Sequence, residues 1–124
     1  MDLFDGSPQP AWEAYAAFQD LEECLRRSRE QTVFILKHNR TCPVSARAKQ
    51  EVDAFLRRRP ATVYLVVVQT ERPASNAIAE RLRVKHESPQ VLCLRDGAVQ
   101  AVFHHHQITA AALEKALQSA ECHE

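Results

Sequence analysis

The stretch that decides the fold is residues 32–45, which read TVFILKHNRTCPVS. Thr32 to Leu36 is a β-branched and aromatic run of strand length, followed by the polar segment Lys37 to Thr41. Cys42 stands directly before Pro43, and proline is favoured at the first position of a helix, where its missing N–H would be unpaired anyway. The stretch therefore predicts a strand, a short loop and a helix that begins just after a cysteine.

The segments on either side of this stretch predict helices. The helix that begins at Pro43 carries one apolar stripe and is ended by Pro60, and its stripe consists of Val44, Ala48, Val52, Phe55 and Leu56. Upstream, Trp12 to Ala16 predicts a short edge strand. A helix then extends to about Arg29, with apolar positions at Phe18, Leu21 and Leu25.

Downstream, the sequence continues the alternation of strand and helix. Thr62 to Val68 is nearly all apolar, as in a central strand that is covered on both faces, and Pro73 to Arg83 predicts a helix. Two strands, Val91 to Leu94 and Val99 to Phe103, are joined through Asp96-Gly97, a dipeptide typical of a tight hairpin turn. Thr109 is placed to cap a last helix, whose core contacts would include Leu113 and Leu117.

The predicted order is thus β-α-β-α-β-α-β-β-α. Alternating βα units require a mainly parallel sheet, and the hairpin adds antiparallel strands. This order predicts an α/β protein with a thioredoxin-like fold, in which helices flank a central mixed β-sheet. We expect one thioredoxin-like domain over residues 1–124, with residues 1–10 as a flexible lead-in.

Composition excludes several classes of function. The 16 basic and 16 acidic residues give no bulk field, so neither a nucleic acid nor a membrane is expected as a partner. With only two glycines, Gly6 and Gly97, the chain can hold neither a dinucleotide-binding fingerprint nor a phosphate-binding loop. The first ten residues have no basic start and no long apolar run, which predicts a cytoplasmic protein without a signal peptide.

The four cysteines, Cys24, Cys42, Cys93 and Cys122, are far apart in the chain and form no C-x-x-C pair. This spacing argues against a zinc knuckle and against a dithiol redox motif, so no metal and no bound cofactor is expected. Cys24 and Cys93 fall in predicted core positions, and a resolving role for either is the alternative. Cys122 lies near the end of the chain and is expected to be exposed without a function.

Cys42 is the candidate nucleophile. As the residue before a helix, its sulfur would face unpaired backbone N–H groups, and the helix dipole favours a thiolate there. Lys37, His38 and Arg40 could add positive potential if the loop turns them toward the sulfur. Ser45 stands where a dithiol enzyme would hold its second cysteine, so the chemistry should stop at a mixed disulfide that an external thiol resolves. We therefore assign catalytic roles to Cys42 and Ser45.

A second candidate segment is Ser88-Pro89, directly before a predicted strand. The thioredoxin fold keeps a cis proline beside the nucleophile at this place, so we expect the Ser88–Pro89 peptide bond to be cis and near Cys42. Pro89 and Gln90 would then hold an extended substrate backbone by strand-like pairing. His38 and His86 flank these segments in sequence, and each is either a residue of the site or an ordinary polar loop residue.

Three other interpretations were weighed. A cysteine-dependent phosphatase would need five residues between its cysteine and arginine, whereas only four separate Cys42 from Arg47. His104, His105 and His106 cannot converge on one metal ion if the strand continues, because adjacent strand residues point to opposite faces. The alternative function is a thioredoxin-fold binding or scaffold module whose cysteine is not catalytic.

The segment Phe34 to Ser45 resembles the Lys-His-Ser-Thr-x-Cys-Pro-Ile-Ser signature of the monothiol bacilliredoxins, the YtxJ-like proteins of the bacillithiol system. His86-Glu87-Ser88-Pro89-Gln90 is similar to the second signature of that family, and the similarity extends from about Phe18 to Leu117. Asn39 replaces a serine and Val44 an isoleucine of the first signature. These departures affect substrate detail more than the class of reaction.

The resemblance implies that Cys42 removes bacillithiol, a low-molecular-weight thiol that acts as co-substrate, from S-thiolated cytosolic proteins. The expected substrate-binding residues come from the two signatures: Lys37, His38, Arg40, Thr41, Pro43, Ser88, Pro89 and Gln90.

Overall fold

A computed structural model describes residues 14–122, so the expected lead-in over residues 1–10 lies outside the described residues. The β-strands are β1 (Ala16–Ala17), β2 (Val33–His38), β3 (Thr62–Val67), β4 (Gln90–Arg95) and β5 (Ala98–His104). The α-helices are α1 (Leu21–Ser28), α2 (Pro43–Arg58), α3 (Arg72–Leu82) and α4 (Ala110–Glu121). This is the predicted order, and only the bounds of the elements shift by a few residues.

The five strands form one mixed sheet in the order β1-β3-β2-β4-β5. β3 runs parallel to both β1 and β2, whereas β4 pairs antiparallel with β2 and β5. β2 therefore lies at the centre of the sheet. The fold is the predicted thioredoxin-like α/β arrangement, with the loop before α2 leaving from the end of the central strand.

Each face of the sheet is covered by two helices, because successive strand residues point to opposite faces. Phe34 and Leu36 pack with residues of α2 and α4, and the rings of Phe34 and Phe55 meet edge-on at 5.3 Å between centroids. Val33 and Ile35 pack on the other face with residues of α1 and α3. Burial on both faces explains the nearly continuous apolar run of β2.

Local signals set the ends of the elements. The Asp20 side chain accepts a hydrogen bond from the Glu23 amide at 2.8 Å, so α1 begins after Phe18 rather than at it. Asp96 and Gly97 both adopt positive φ, 57° and 75°, as the predicted hairpin turn requires. Thr109 caps α4 by accepting from the Ala112 amide at 3.1 Å.

Two further expectations can be set against these coordinates. Trp12 lies outside the described residues, and the edge strand is shorter than predicted, since it comprises Ala16–Ala17 alone. No helix within residues 14–122 has the length and the apolar character needed to cross a membrane.

Candidate active site

Cys42 is the N-cap residue of α2. Its backbone is extended, with φ −102° and ψ 121°, and Pro43 occupies the first helical turn. The thiol forms no capping hydrogen bond and is partly exposed at the rim of the sheet. A pocketless thiol at a helix start is open to a disulfide on another molecule.

The pKa of the Cys42 thiol is lowered from its ordinary value. The main cause is the backbone N–H of Ser45, with smaller contributions from the Val44 N–H and the Ser45 hydroxyl, and partial desolvation opposes them. The direction is the one that the helix start predicts. The expected contribution of Lys37, His38 and Arg40 is not among the causes, so the backbone of α2 rather than nearby cations activates the sulfur.

Ser45 is fully buried beneath the loop that carries Cys42. Its hydroxyl accepts a hydrogen bond from the Asn39 backbone N–H at 3.3 Å. The same hydroxyl helps to hold the Cys42 thiolate. Ser45 therefore supports both the conformation of the loop and the charge of the sulfur, but it cannot form a disulfide.

The loop between β2 and α2 is held by side-chain hydrogen bonds. The Asn39 carboxamide oxygen accepts from the Thr41 amide and the Thr41 hydroxyl, both at 3.0 Å, and from Gln69 Nε2 at 2.6 Å. Gln69 Oε1 in turn accepts from the Arg40 amide at 3.1 Å. Gln69 follows β3, which lies beside β2, and the sequence reasoning missed it because only the strand pairing brings it to the loop.

Lys37 does not lie at the surface. Its side chain is fully buried on the side of α3, where Nζ donates to the Ser75 carbonyl at 3.1 Å and contacts His86 Nδ1 at 3.3 Å. The Ser75 hydroxyl also lies 3.2 Å from His86 Nδ1. The expected direct contact between Lys37 and a substrate is therefore corrected to a position behind the site, since strand alternation turns this side chain away from α2.

Gln90 also requires a correction. Its side chain is fully buried, Nε2 donates to the Lys85 carbonyl at 2.9 Å, and its backbone lies within an inner strand, opposite Lys37 and His104. An inner strand has no free edge at which an extended substrate could pair. The preceding residue, Pro89, follows a cis peptide bond, is buried, and its carbonyl accepts from the His105 amide at 3.1 Å.

Of the second segment, Ser88 is the residue that stays partly exposed. Because Gln90 pairs with Lys37 in β2, the Ser88-Pro89 turn lies at the same end of the sheet as the Cys42 loop. Arg40, Thr41 and Pro43 are exposed around the cysteine. The structure thus gathers one part of the predicted binding set at the surface and places the Lys37 and Gln90 side chains behind it.

His38 ends β2 on the side of α2. Its Nδ1 atom is buried without a hydrogen-bond partner in residues 14–122. Burial lowers the pKa of His38, and the charges of Lys49 and Arg40 lower it further. Asp53 counters this effect and accepts a hydrogen bond from the Tyr15 hydroxyl at 2.6 Å. The i, i+4 spacing of Lys49 and Asp53 on α2 was the signal from which this neighbouring cluster could have been found.

The remaining cysteines differ from Cys42. Cys24 and Cys93 are fully buried, and burial raises the pKa of each thiol to about 12. Cys122 is exposed at the end of α4, and all four cysteines are free thiols. Residues 14–122 contain no group of three or more side chains that could hold a metal ion. A partly exposed thiol with a lowered pKa is the nucleophile that this arrangement offers.

Comparisons with known proteins agree with this geometry. A family model described as Monothiol bacilliredoxin BrxC matches residues 15–113. A solved thioredoxin-fold protein, described as a candidate oxidoreductase, is 33% identical with a TM-score of 0.76, covering 86% of this chain and 96% of that chain.

Two thioredoxins share the fold at low identity. Mitochondrial thioredoxin 3 from Saccharomyces cerevisiae is 14% identical with a TM-score of 0.65, covering 89% of this chain and 99% of that chain. A variant thioredoxin from Halobacterium salinarum is 16% identical with a TM-score of 0.67, covering 93% of this chain and 96% of that chain. These two similarities concern the fold alone.

Proposed function

The chain belongs to the monothiol bacilliredoxin family, and we propose that it is a cytosolic thiol-disulfide oxidoreductase that removes bacillithiol from mixed disulfides on proteins. Thiol redox chemistry follows from the family and the fold. The choice of bacillithiol as co-substrate is supported by the name of the family.

The single observation that carries the proposal is the pairing of Cys42 with Ser45 at the start of α2. Cys42 is accessible and its pKa is lowered, while the residue three positions later is a buried hydroxyl. A thiolate attacks a disulfide in proportion to its ionised fraction and its nucleophilicity. With serine at the second position, the product of the attack cannot be released by an internal thiol.

The proposed reaction has two exchanges. The Cys42 thiolate attacks the low-molecular-weight-thiol sulfur of the protein mixed disulfide, that S–S bond breaks, and the protein thiolate leaves in reduced form. Cys42 is now oxidised to a mixed disulfide with the small thiol. A second small thiolate then attacks this disulfide, which restores Cys42 and releases a symmetrical disulfide of the small thiol.

Intact-mass spectrometry tests this function. The reduced protein is incubated with a bacillithiolated and, separately, a glutathionylated protein substrate, and the adduct is followed from substrate to enzyme. We expect transfer from the bacillithiolated substrate, loss of transfer in Cys42→Ala, and retained transfer in Ser45→Ala. Normal transfer by Cys42→Ala, or an internal disulfide from Cys42 to Cys24 or Cys93 that accumulates with each turnover, would overturn the monothiol mechanism.

A further inference from the structure

A polar cavity of about 120 Å³ opens beside the Cys42 loop. Its wall includes Asn39, Arg72, Ser75, Asn76, His86 and Ser88. Asn39 stands three residues before Cys42, and its carbonyl accepts a hydrogen bond from the Cys42 amide at 3.3 Å. Ser88 precedes the buried Pro89 at the same end of the sheet. The cavity therefore shares two of its walls with the candidate active site.

Positive charge surrounds this cavity. Arg72 is an exposed first residue of α3 on the cavity wall, and Lys37 lies directly behind Ser75 and His86. No carboxylate within residues 14–122 forms an ion pair with either cation. Two cations at one small polar cavity, neither of them neutralised by a partner in the described chain, favour an anion as the occupant.

The ring of His86 adds a directed donor. The Lys37 ammonium has only hydrogens to offer, so the His86 Nδ1 atom that it contacts must act as an acceptor. Burial lowers the pKa of His86, and the charges of Lys37 and Arg72 lower it further, which favours the neutral ring. The proton of that ring is then on Nε2, where it can be donated to a ligand.

The charges around the cavity also limit the occupant. Glu87 neighbours His86 and opposes the two cations there, so the local balance is about one positive charge. A single carboxylate matches this balance and the small volume, and planar carboxylates are well suited to an arginine fork. A doubly charged phosphate would leave an uncompensated negative charge against Glu87.

We propose that this cavity binds a carboxylate of the low-molecular-weight thiol in the disulfide that Cys42 attacks. Arg72 supplies the ion pair, and the His86 Nε2–H and the polar groups of Asn76 and Ser88 supply hydrogen bonds. The inference rests on the proposed function, because it assigns the subsite that would position the small thiol for exchange at Cys42.

The test compares two probes that differ only in charge: glutathione disulfide and its tetramethyl ester. Each probe thiolates the reduced protein by one exchange, in which Cys42 forms a mixed disulfide and one glutathione thiolate leaves. Intact mass gives the second-order rate constants. Since a charge-assisted contact contributes about a factor of ten, we expect the acid to react about tenfold faster than the ester.

Three variants locate the effect. Arg72→Gln should bring the two rate constants together. Asn76→Asp, which places a carboxylate on the wall without changing its shape, should slow the acid and leave the ester unchanged. Arg81→Gln, a matched loss of an exposed arginine near the other end of α3, should keep the wild-type preference.

The outcomes separate this inference from the proposed function. Equal rate constants for acid and ester in the wild-type protein, or a preference that survives Arg72→Gln, would overturn the carboxylate site while Cys42 exchange stands. If Cys42 reacts with neither disulfide faster than an unfolded-protein thiol does, the proposed function fails and the inference fails with it.

Discussion

The Ser45 hydroxyl accepts a hydrogen bond from the Asn39 amide at 3.3 Å, which ties the residue three positions after Cys42 to the residue three positions before it. Gln69 secures the same loop from the neighbouring strand by contacts to Asn39, Arg40 and Thr41. The cysteine therefore lies on a braced turn rather than on a free loop. Preorganisation of this kind keeps the sulfur facing the amides of α2.

Ser45→Ala should raise the pKa of Cys42 but leave the thiol reactive. The substitution removes the hydroxyl, whereas the backbone N–H of residue 45, the largest cause of the lowered pKa, is retained. We expect the alkylation rate with iodoacetamide at neutral pH to fall by about two- to fivefold, as for the loss of one hydrogen bond to a charged group. Alkylation measured across pH, with Ser119→Ala on α4 as control, checks this; an unchanged profile contradicts it.

Ser45→Cys should convert the monothiol site into a dithiol site. A thiol three residues after Cys42 can attack the Cys42 mixed disulfide, so the small thiol would leave and an internal disulfide would form. After exposure to a glutathionylated substrate, intact mass should show a loss of two hydrogens where the wild-type protein carries an adduct. An adduct that persists in Ser45→Cys would mean that the buried residue 45 cannot reach the sulfur.

Lys37→Met should change how stability depends on pH. Burial lowers the pKa of Lys37 from 10.5 to about 8, so between these values the unfolded chain binds a proton that the folded chain does not. Lys37 therefore lowers the stability of the folded state below pH 8, and this penalty is relieved as pH rises toward 10.5. The fully buried side chain makes the effect about 3 kcal/mol.

The measurement is urea unfolding in reductant at pH 7.5 and at pH 10.5. We expect the unfolding free energy of Lys37→Met minus that of the wild-type protein to fall by about 3 kcal/mol across this range. Lys115→Met, an exposed lysine on α4, serves as the control and should show a nearly constant difference. A constant difference for Lys37→Met would show that its ammonium is well solvated.

Gly97→Ala should destabilise the hairpin through the backbone. Gly97 has φ of 75°, which costs a residue with a Cβ about 1–2 kcal/mol, and the new Cβ would lie 3.1 Å from the Arg29 guanidinium. Since that contact is with the end of a flexible side chain, Arg29→Ala should not restore stability in the double variant. Chemical denaturation of the single and double variants decides this, because full rescue by Arg29→Ala would assign the cost to the clash instead.

Local signals in the sequence were sufficient for much of the fold. Cys42-Pro43 marked the start of α2, Asp96-Gly97 the hairpin and Thr109 the last cap, because each acts through bonds to its near neighbours. The same holds for the candidate nucleophile and for Ser45, whose relation to each other depends only on helical spacing.

What the sequence could not provide depends on contacts between distant segments. Gln69 reaches the Cys42 loop because β3 pairs with β2, and Gln90 is enclosed because its strand is paired on both sides. Strand alternation already placed Lys37 on the face of Ile35, but its full burial arises from cover by Ser75 of α3 and by His86. A polar residue at a strand end is exposed or buried according to such cover, which periodicity alone does not encode.

The separation of the thiols, with Cys24 and Cys93 in opposite cores and Cys42 at the rim, determines how the protein meets peroxide. Peroxide converts a reactive thiolate to a sulfenic acid, which a nearby thiol can trap before further oxidation becomes irreversible. Neither core thiol can come to Cys42 without unfolding, so an oxidised Cys42 is rescued only by a small thiol from solution. The adduct that the reaction forms is then also a protective cap, and survival of the protein under peroxide depends on the concentration of that thiol.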